Sequence, residues 1–400
     1  MKDFKLLVAG QALSWLGNGF QTVALAVAVV LTGGGPGDLG LVMASSFLGL
    51  LLGSLFGGVW ADRLQPQRVM IGSDVVRFVT VSAMAVMFGT HHRSLVLLCL
   101  LAAATSVAGS FFSPAITALK PLVVSVKQRQ RANATLSLLQ TSCSVIGPAA
   151  GGLAVAALGA PIGFAVNASS YLASVFSVAL ITAKVPRSPR RGMFQEMGEG
   201  WSEIRRRDWL LSGVLAASVY HVANGVVLVL VQVVAILDLG GASSAGLIAA
   251  AEGLGGVIGA AIALRWKAVR PRAGWLALPL MSVWVGAYVW PAVLTAVLIG
   301  AVLGYAGLGF FSVAWETAIQ DHVPHQLLAR VYSWDTLTSF LGMPLGNALA
   351  GPLSHLFGID RVLIGCAAVL LVCSLSPLLT LGSRTLTRPG ASALREPVRV

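Results

Sequence analysis

The sequence predicts an all-α integral membrane protein of twelve transmembrane helices in two six-helix bundles related by a pseudo-two-fold axis. Three observations predict it. Apolar runs of membrane-spanning length recur along the chain. Charge is scarce and gathers between the runs. A set of residues repeats at one fixed offset, 199 positions.

Composition excludes a soluble fold. Hydrophobic residues make up 56% of the chain and charged ones 10%, against about 25% charged in a typical soluble domain. The mean hydropathy is +0.83. The net charge of +12 does not mark a nucleic-acid binder, because the basic residues sit in short loops and form no single solvated face. Cys99, Cys143, Cys366 and Cys373 all fall inside apolar runs without metal-ligand spacing. They are expected to pack as small hydrophobes, with no disulfide and no metal.

A helix needs about twenty apolar residues to cross about 30 Å of hydrocarbon. Twelve stretches reach that length: 6–32, 39–61, 69–90, 94–119, 133–157, 161–183, 209–236, 243–265, 273–290, 292–319, 331–356 and 359–381. The first runs on past signal-peptide length without a convincing cleavage site, so it is read as a retained helix. The second ends in the turn holding Asp62, Arg63, Pro66 and Arg68, and the third carries Asp74 and Arg77 one helical turn apart. Those two are expected to pair. The fifth contains Gly147-Pro148-Ala149-Ala150-Gly151-Gly152. The seventh carries Tyr220, His221 and Asn224, the eighth Glu252 and the tenth Glu316. Asp335 stands near the start of the eleventh. Glycine and proline inside these runs do not veto helix, because membrane helices tolerate both.

Lysine and arginine set the orientation. With the N-terminus in the cytoplasm, the loops after the even-numbered helices are cytoplasmic, and 25 of the 27 Lys and Arg fall on or near that side, leaving only Arg93 and Arg361 in the opposite loops. Both termini are therefore expected in the cytoplasm. The loop 184–208 opens with KVPRSPRR and continues with Phe194, Met197, Trp201 and Ile204 at three- and four-residue spacing. That spacing predicts an amphipathic helix lying on the cytoplasmic membrane surface.

The repeat joins Phe111-Phe112-Ser113 to Phe310-Phe311-Ser312, Arg131 to Arg330, Gly147 to Gly346 and Gly152 to Gly351. Helices four and five thus correspond to ten and eleven. The expected organisation is a six-helix bundle over 1–183, a linker over 184–208, a second bundle over 209–382 and a cytoplasmic tail over 383–400. Parallel six-helix repeats are the plan of transporters that rock two bundles about a central site.

The chain resembles the major facilitator superfamily, and most closely its bacterial branch of siderophore and macrolide exporters. Three motifs carry the resemblance. Gly58, Asp62 and Arg63 match the pattern G-x-x-x-D-R-x-G-R-R after helix two, although Gln65-Pro66-Gln67 replaces its glycine and paired basic residues. Gly147, Pro148, Gly151 and Gly152 match the G-P-x-x-G-G element of exporters in helix five. Arg330-Val331-Tyr332-Ser333, with the FFS blocks, is typical of the branch. The resemblance implies a clasp on one side of the protein, in which Gly58, Asp62, Arg63 and Arg68, supported by Asp74 and Arg77, close against Asp335.

Ionisable groups inside a membrane are functional candidates by default. Glu252 and Glu316 are expected to be the deepest carboxylates and, with His221, the candidates for proton coupling. Trp15, Asn18, Gln21, Gln140, Tyr220 and Asn224 are candidate lining residues of a cavity suited to an amphipathic organic molecule. No nucleotide-binding loop or hydrolase motif occurs, so no catalytic residue and no cofactor are expected. The expected function is secondary active transport, in the form of proton-coupled efflux of a small amphipathic compound across the cytoplasmic membrane. The expected partners are the substrate, protons and lipid, with no nucleic acid, and the expected unit is a monomer. An importer on the same fold and a non-transporting membrane sensor are the alternatives.

Overall fold

In a computed structural model the described residues are built of helices joined by short turns. The residues described are 2–61, 65–124, 128–182, 200–266, 271–289, 292–324 and 326–385. Twelve spans follow one another: α1 Lys2–Leu31, α2 Pro36–Ala61, α3 Pro66–Gly89, α4 Leu95–Val123, α5 Arg129–Leu158, α6 Ala160–Ala179, α7 Asp208–Leu237, α8 Ala242–Arg265, α9, α10 Leu294–His322, α11 and α12 Ile359–Leu375. Two of them are broken. The α9 span consists of Pro271–Ala277 and Leu280–Gly286, and α11 of Leu328–Phe340 and Gly342–Phe357. Pro279 and Pro344 stand at these breaks, and a proline supplies no backbone N–H to the turn before it. The short ninth run thus becomes two helical pieces of seven residues each.

The ends of the other helices have local causes. Pro66 occupies the first turn of α3, where its missing N–H costs nothing. Ser94 caps α4 by accepting from the Leu97 amide at 3.3 Å. A single glycine turns α5 into α6 at Gly159 and α11 into α12 at Gly358, with φ of 83° and 82°. Such values suit a residue without a Cβ. These two glycines stand 199 positions apart and repeat the offset seen in the sequence.

The repeat is also visible in the packing. Gly147 of α5 rests on Leu16 and Gly19 of α1, while Gly346 of α11 rests on Val222 and Gly225 of α7. Asp3 at the start of α1 accepts from Thr182 after α6, from Oγ1 at 3.0 Å and from the amide at 3.2 Å. Asp208 at the start of α7 accepts from the Gly382 amide at 3.1 Å, in a short last helix after α12. Each bundle therefore ties its first helix to the segment after its sixth with an aspartate, on the face of the protein at which α1 begins. We call this the terminal face and the opposite one the far face.

The bundles meet mainly through α5 against α8 and α2 against α11. Near the far face the buried apolar residues form one cluster shared by both bundles, from Val27 and Leu39 to Leu230, Ala350 and Leu363. Toward the terminal face they separate. One cluster there, around Met70 and Leu119, belongs to the first bundle, and another, around Leu210 and Ile319, belongs to the second. The described helices are joined at the far face and part toward the terminal face.

Residues 200–205 are helical, but their apolar side does not face lipid. Ile204 is fully buried against Trp209 and Val331, and the Trp201 ring lies 5.2 Å from that of Trp334. The apolar stripe is taken up by α11 because a protein groove is available to it. The expected membrane-surface helix is corrected to that extent. Phe194 and Met197 lie outside the described residues, as does the tail beyond 385.

Candidate functional site

The candidate site of the first bundle grows from the local pair that the sequence predicts. Arg77 Nη1 donates to Asp74 Oδ1 at 3.0 Å, and Asp74 is completely buried. A charge in an apolar interior needs a partner with good geometry, and the i,i+3 spacing on α3 supplies one. Arg77 has further contacts that the sequence does not reveal. Its Nη2 donates to the Tyr171 hydroxyl at 2.8 Å. Its guanidinium lies 3.9 Å from the centre of the Tyr171 ring and 5.7 Å from that of Phe112. Stacking of this kind contributes about 2 kcal/mol when desolvated.

Tyr171 passes the network on to α1. Its hydroxyl donates to Asn18 Oδ1 at 2.6 Å. Asn167, one turn earlier on α6, donates from Nδ2 to the Tyr171 hydroxyl at 3.2 Å and also to Gln21 Oε1. Three helices are thereby fixed relative to one another through side chains. Gly17 makes the approach possible, since a Cβ there would lie 2.5 Å from Ser170 Oγ and 3.0 Å from the Asn167 backbone.

This network forms one wall of a cavity of about 440 Å³. Asn18, Gln21, Arg77 and Tyr171 face it together with Thr105 of α4 and Gln232 of α7. Apolar side chains of α2, among them Met43, Phe47 and Leu50, supply much of the rest. Arg77 is the one charged residue in this lining, and Asp74 neutralises it. The wall therefore offers amides, hydroxyls and apolar surface without net charge. An uncharged or amphipathic organic molecule suits such a surface.

The second bundle places a carboxylate among aromatic rings. Glu252 of α8 is half-buried, and the Tyr305 hydroxyl of α10 is its hydrogen-bond donor. The Trp284 ring of α9 lies 5.2 Å from that of Tyr305 and 5.8 Å from that of Tyr288. Glu316 is placed differently. It is exposed on α10, less than two turns from the end of the helix, and its neighbour Trp315 donates from Nε1 to Asp335 at 3.1 Å. The expectation that Glu252 and Glu316 are the deepest carboxylates is corrected, because Asp74 is the more deeply buried. Position along a span does not set which way a side chain faces.

The remaining candidates lie outside the lining of this cavity. His221 Nδ1 bonds the Ala217 carbonyl at 2.7 Å, one turn back on its own helix, and its ring lies 5.5 Å from that of Tyr220. Tyr220 is buried, and Asn224 is half-buried with its Oδ1 unpartnered among the described residues. Trp15 is half-buried, Gln140 is exposed on α5, and neither lines the cavity. Asn167, Tyr171 and Gln232 are the residues that sequence reasoning missed. Asn167 and Tyr171 stand four apart on one helix, and Gln232 interrupts the run VVLVLV-Q-VVAIL. Those were the available signals.

The glycine element of α5 works in two directions. Gly147 and Gly151 pack on α1 at Leu16, Gly19 and Phe20. Gly152 turns outward to the other bundle, where a Cβ would lie 2.8 Å from Gly246 Cα. Glycines allow backbones to approach this closely in a membrane. At the other contact between bundles, a Cβ on Gly351 of α11 would lie 2.4 Å from Gly37 Cα of α2.

Of the clasp, Asp62 and Arg63 lie outside the described residues, and so do the surroundings of Gly58. Arg68 is exposed in the first turn of α3. Gln67, where the family pattern departs, donates to the Ile181 carbonyl at 3.2 Å and ties α3 to the end of α6.

Residues 7–347 match the family profile described as Major Facilitator Superfamily. The chain is 27% identical over 387 residues to the multidrug efflux pump Tap of Mycolicibacterium fortuitum, covering 92% of each chain. It is 27% identical over 231 residues to macrolide efflux protein A of Streptococcus pyogenes, covering 54% of this chain and 55% of that one. Among solved structures it is similar to a bacterial homolog of the human lysosomal transporter Spinster in an inward-facing, unoccupied conformation, with TM-score 0.71, 15% identity and 96% of each chain covered. It is also similar to the nucleoside transporter NupG, with TM-score 0.67, 12% identity, 97% of this chain and 100% of that one covered.

Proposed function

The chain belongs to the Major Facilitator Superfamily, and on that premise we propose that it is a proton-driven exporter of a small amphipathic organic compound. The carrying observation is the neutralised amide and hydroxyl wall of the cavity beside Arg77 and Tyr171. The efflux proteins to which the chain is similar over most of its length support the direction.

The proposed membrane is the cytoplasmic one, with both termini inside, as the Lys and Arg asymmetry indicates. The terminal face is then cytoplasmic and the described state is open to the cytoplasm. The moving units are 1–183 and 209–382, joined by 184–208, with a tail over 383–400. In the cycle, substrate enters from the cytoplasm and meets Asn18, Gln21 and Tyr171. Tyr220 and Asn224 are the further candidate contacts, on α7. The bundles then rock, the Gly152–Gly246 contact opens, and the terminal face closes.

Gly58, Asp62, Arg63 and Arg68 latch that closed face against α11, with Asp335 as the receiving group. Asp335 meets Trp315 of its own bundle here, as the open state of such a latch requires. Asp74 and Arg77 hold α3 rigid beneath the latch. Glu252 is the leading proton carrier, because its partner among the described residues is a hydrogen-bond donor and not a cation. Glu316 and His221 are the secondary candidates. The protein works as a monomer in lipid.

The test is efflux of the fluorescent cation ethidium from proteoliposomes with an imposed pH gradient. Outward movement that follows the gradient and disappears with a protonophore is the expected result. Uptake in the opposite sense would favour an importer, and no gradient-dependent movement across a panel of neutral and cationic antibiotics would favour a sensor.

A further inference from the structure

The two bundles differ where the sixth helix of each leans on the first. In the first bundle α6 seats directly on α1. A Cβ on Gly17 of α1 would lie 2.5 Å from Ser170 Oγ, and one on Gly163 of α6 would lie 2.5 Å from the Ala24 Cβ. The corresponding residues of the second bundle are larger. The 199-residue offset carries Gly163 to Val362 of α12. For the first helices the offset is 206, because Gly346 rests on Val222 and Gly225 as Gly147 rests on Leu16 and Gly19. It carries Gly17 to Ala223 of α7. Glycine lets two backbones meet, and a side chain in its place keeps them apart. A groove of about 470 Å³ lies between α7, α11 and α12, and Ala223 and Val362 form part of its buried side.

The groove has one polar end and an apolar body. Arg361, in the first turn of α12, is the one charged residue in its lining. It is exposed and has no ion pair among the described residues. Asp360 precedes it but stands outside the lining. The rest is apolar, from Phe357 on α11 at the far face to Val219 on α7 and Val369 on α12. Arg361 to Val369 is eight residues, about 12 Å along a helix. One leaflet offers about 15 Å of hydrocarbon, half of the whole. Val219, Phe357 and Val369 are exposed, and α12 packs on α7, α9 and α11 of its own bundle. The groove therefore opens sideways, toward lipid, and it shares no residue with the cavity beside Arg77.

We propose that this groove is a binding site for one anionic phospholipid. An acyl chain lies on α7 between α11 and α12, and the lipid phosphate pairs with Arg361 at the far face. The forked donors of arginine match a phosphate group. A zwitterionic lipid brings its own cation to the same place and is held less well. Ile162 stands in the first bundle where Arg361 stands in the second, so the site belongs to the second bundle alone. The proposal does not rest on the direction of transport.

The test needs no transported substrate. Full-length protein is embedded in nanodiscs of equal parts phosphatidylglycerol and phosphatidylcholine, and the lipids it retains are counted by native mass spectrometry. Preferential retention of one phosphatidylglycerol per chain is expected. Arg361→Gln should lower the ratio of retained phosphatidylglycerol to phosphatidylcholine about fivefold, the factor by which one basic residue near the surface attracts an anionic lipid. Gly365→Leu fills the groove. Gly365 lines it, and no atom lies within 4 Å of the place its Cβ would take, so the change leaves the fold unstrained. It should lower retention of both lipids. Gly286→Leu on α9, equally free of close atoms and outside the lining, should lower neither. An unchanged ratio in Arg361→Gln or unchanged retention in Gly365→Leu would each overturn the proposal, and either variant suffices alone. A dimer that Gly365→Leu abolishes would make the groove an interface between copies of the chain. Displacement of both lipids alike by ethidium would make it a path for substrate. Each of those outcomes would also overturn the lipid site.

Discussion

Gly152 of α5 and Gly246 of α8 meet across the two bundles so closely that a Cβ on either would lie 2.8 Å from the other's Cα. Both stand toward the far face, where the bundles share one apolar cluster. The contact is a seal made of backbone, and neither residue can grow a side chain without parting the helices.

Gly152→Val is therefore expected to shift the protein away from the described state. Overpacking costs about 1–3 kcal/mol, which corresponds to roughly a tenfold or larger change in the balance of two states. Spin labels at the far ends of α5 and α8 should report a longer mean distance, with normal insertion. An unchanged distance distribution would show that the glycine pair does not govern closure.

The Asp74–Arg77 pair makes a prediction about stability. Arg77→Met leaves a buried carboxylate without its cation, a change that costs about 3–5 kcal/mol. The thermal unfolding midpoint in detergent should fall sharply for Arg77→Met and recover in part when Asp74→Leu is added. Arg77→Lys should not restore the wild-type value, because lysine loses the planar stack on Tyr171.

Tyr171→Phe removes the hydroxyl that joins Arg77, Asn167 and Asn18. About 1–3 kcal/mol is at stake for each buried partner left unsatisfied. Relative export of two chemically different substrates should change, measured as the ratio of their kcat/KM values. Gln140→Ala, on an exposed part of α5, serves as the comparison. An equal change in both variants would count against the cavity described here.

Glu252→Gln is expected to abolish the response to a pH gradient and to spare substrate exchange at equal pH. Counterflow in proteoliposomes separates the two. A variant that still concentrates ethidium when driven by the gradient would remove Glu252 from the coupling role and direct attention to Glu316 and His221.

Asp3 and Asp208 close the two bundles in the same way. Losing an aspartate that satisfies exposed helix-end or loop amides costs about 1 kcal/mol. Asp208→Ala and Asp3→Ala should each lower the unfolding midpoint by a few degrees and act additively, since they lie in different bundles.

Local relations were legible in the chain. The spans could be read because a membrane helix is defined by twenty apolar neighbours, and α1 to α8 fall where the runs are. The Asp74–Arg77 pair was legible because three residues make one turn. The 199-residue offset announced the shared packing of Gly147 and Gly346. The linker was half-legible: the apolar stripe through Trp201 and Ile204 is real, but the chain alone did not show that α11 would cover it. Glu316 failed as a buried carboxylate for a related reason, since a position within a span fixes depth and not facing.

The sequence by itself determined how many times this protein crosses a membrane, that its two halves are copies of one plan, and that Arg77 is neutralised. Backbone hydrogen bonds and i,i+3 contacts form between residues that are neighbours in the chain, so these features need no knowledge of the rest. Only the tertiary structure decided that Asn18, Asn167 and Tyr171 join Arg77 in one wall, that Glu252 sits among tyrosines, and that the bundles touch at the far face and part at the other. The Tyr171–Asn18 bond alone joins residues 153 positions apart. They depend on how helices rotate and lean against one another, which is set by close packing of small residues from both partners and not by either helix alone.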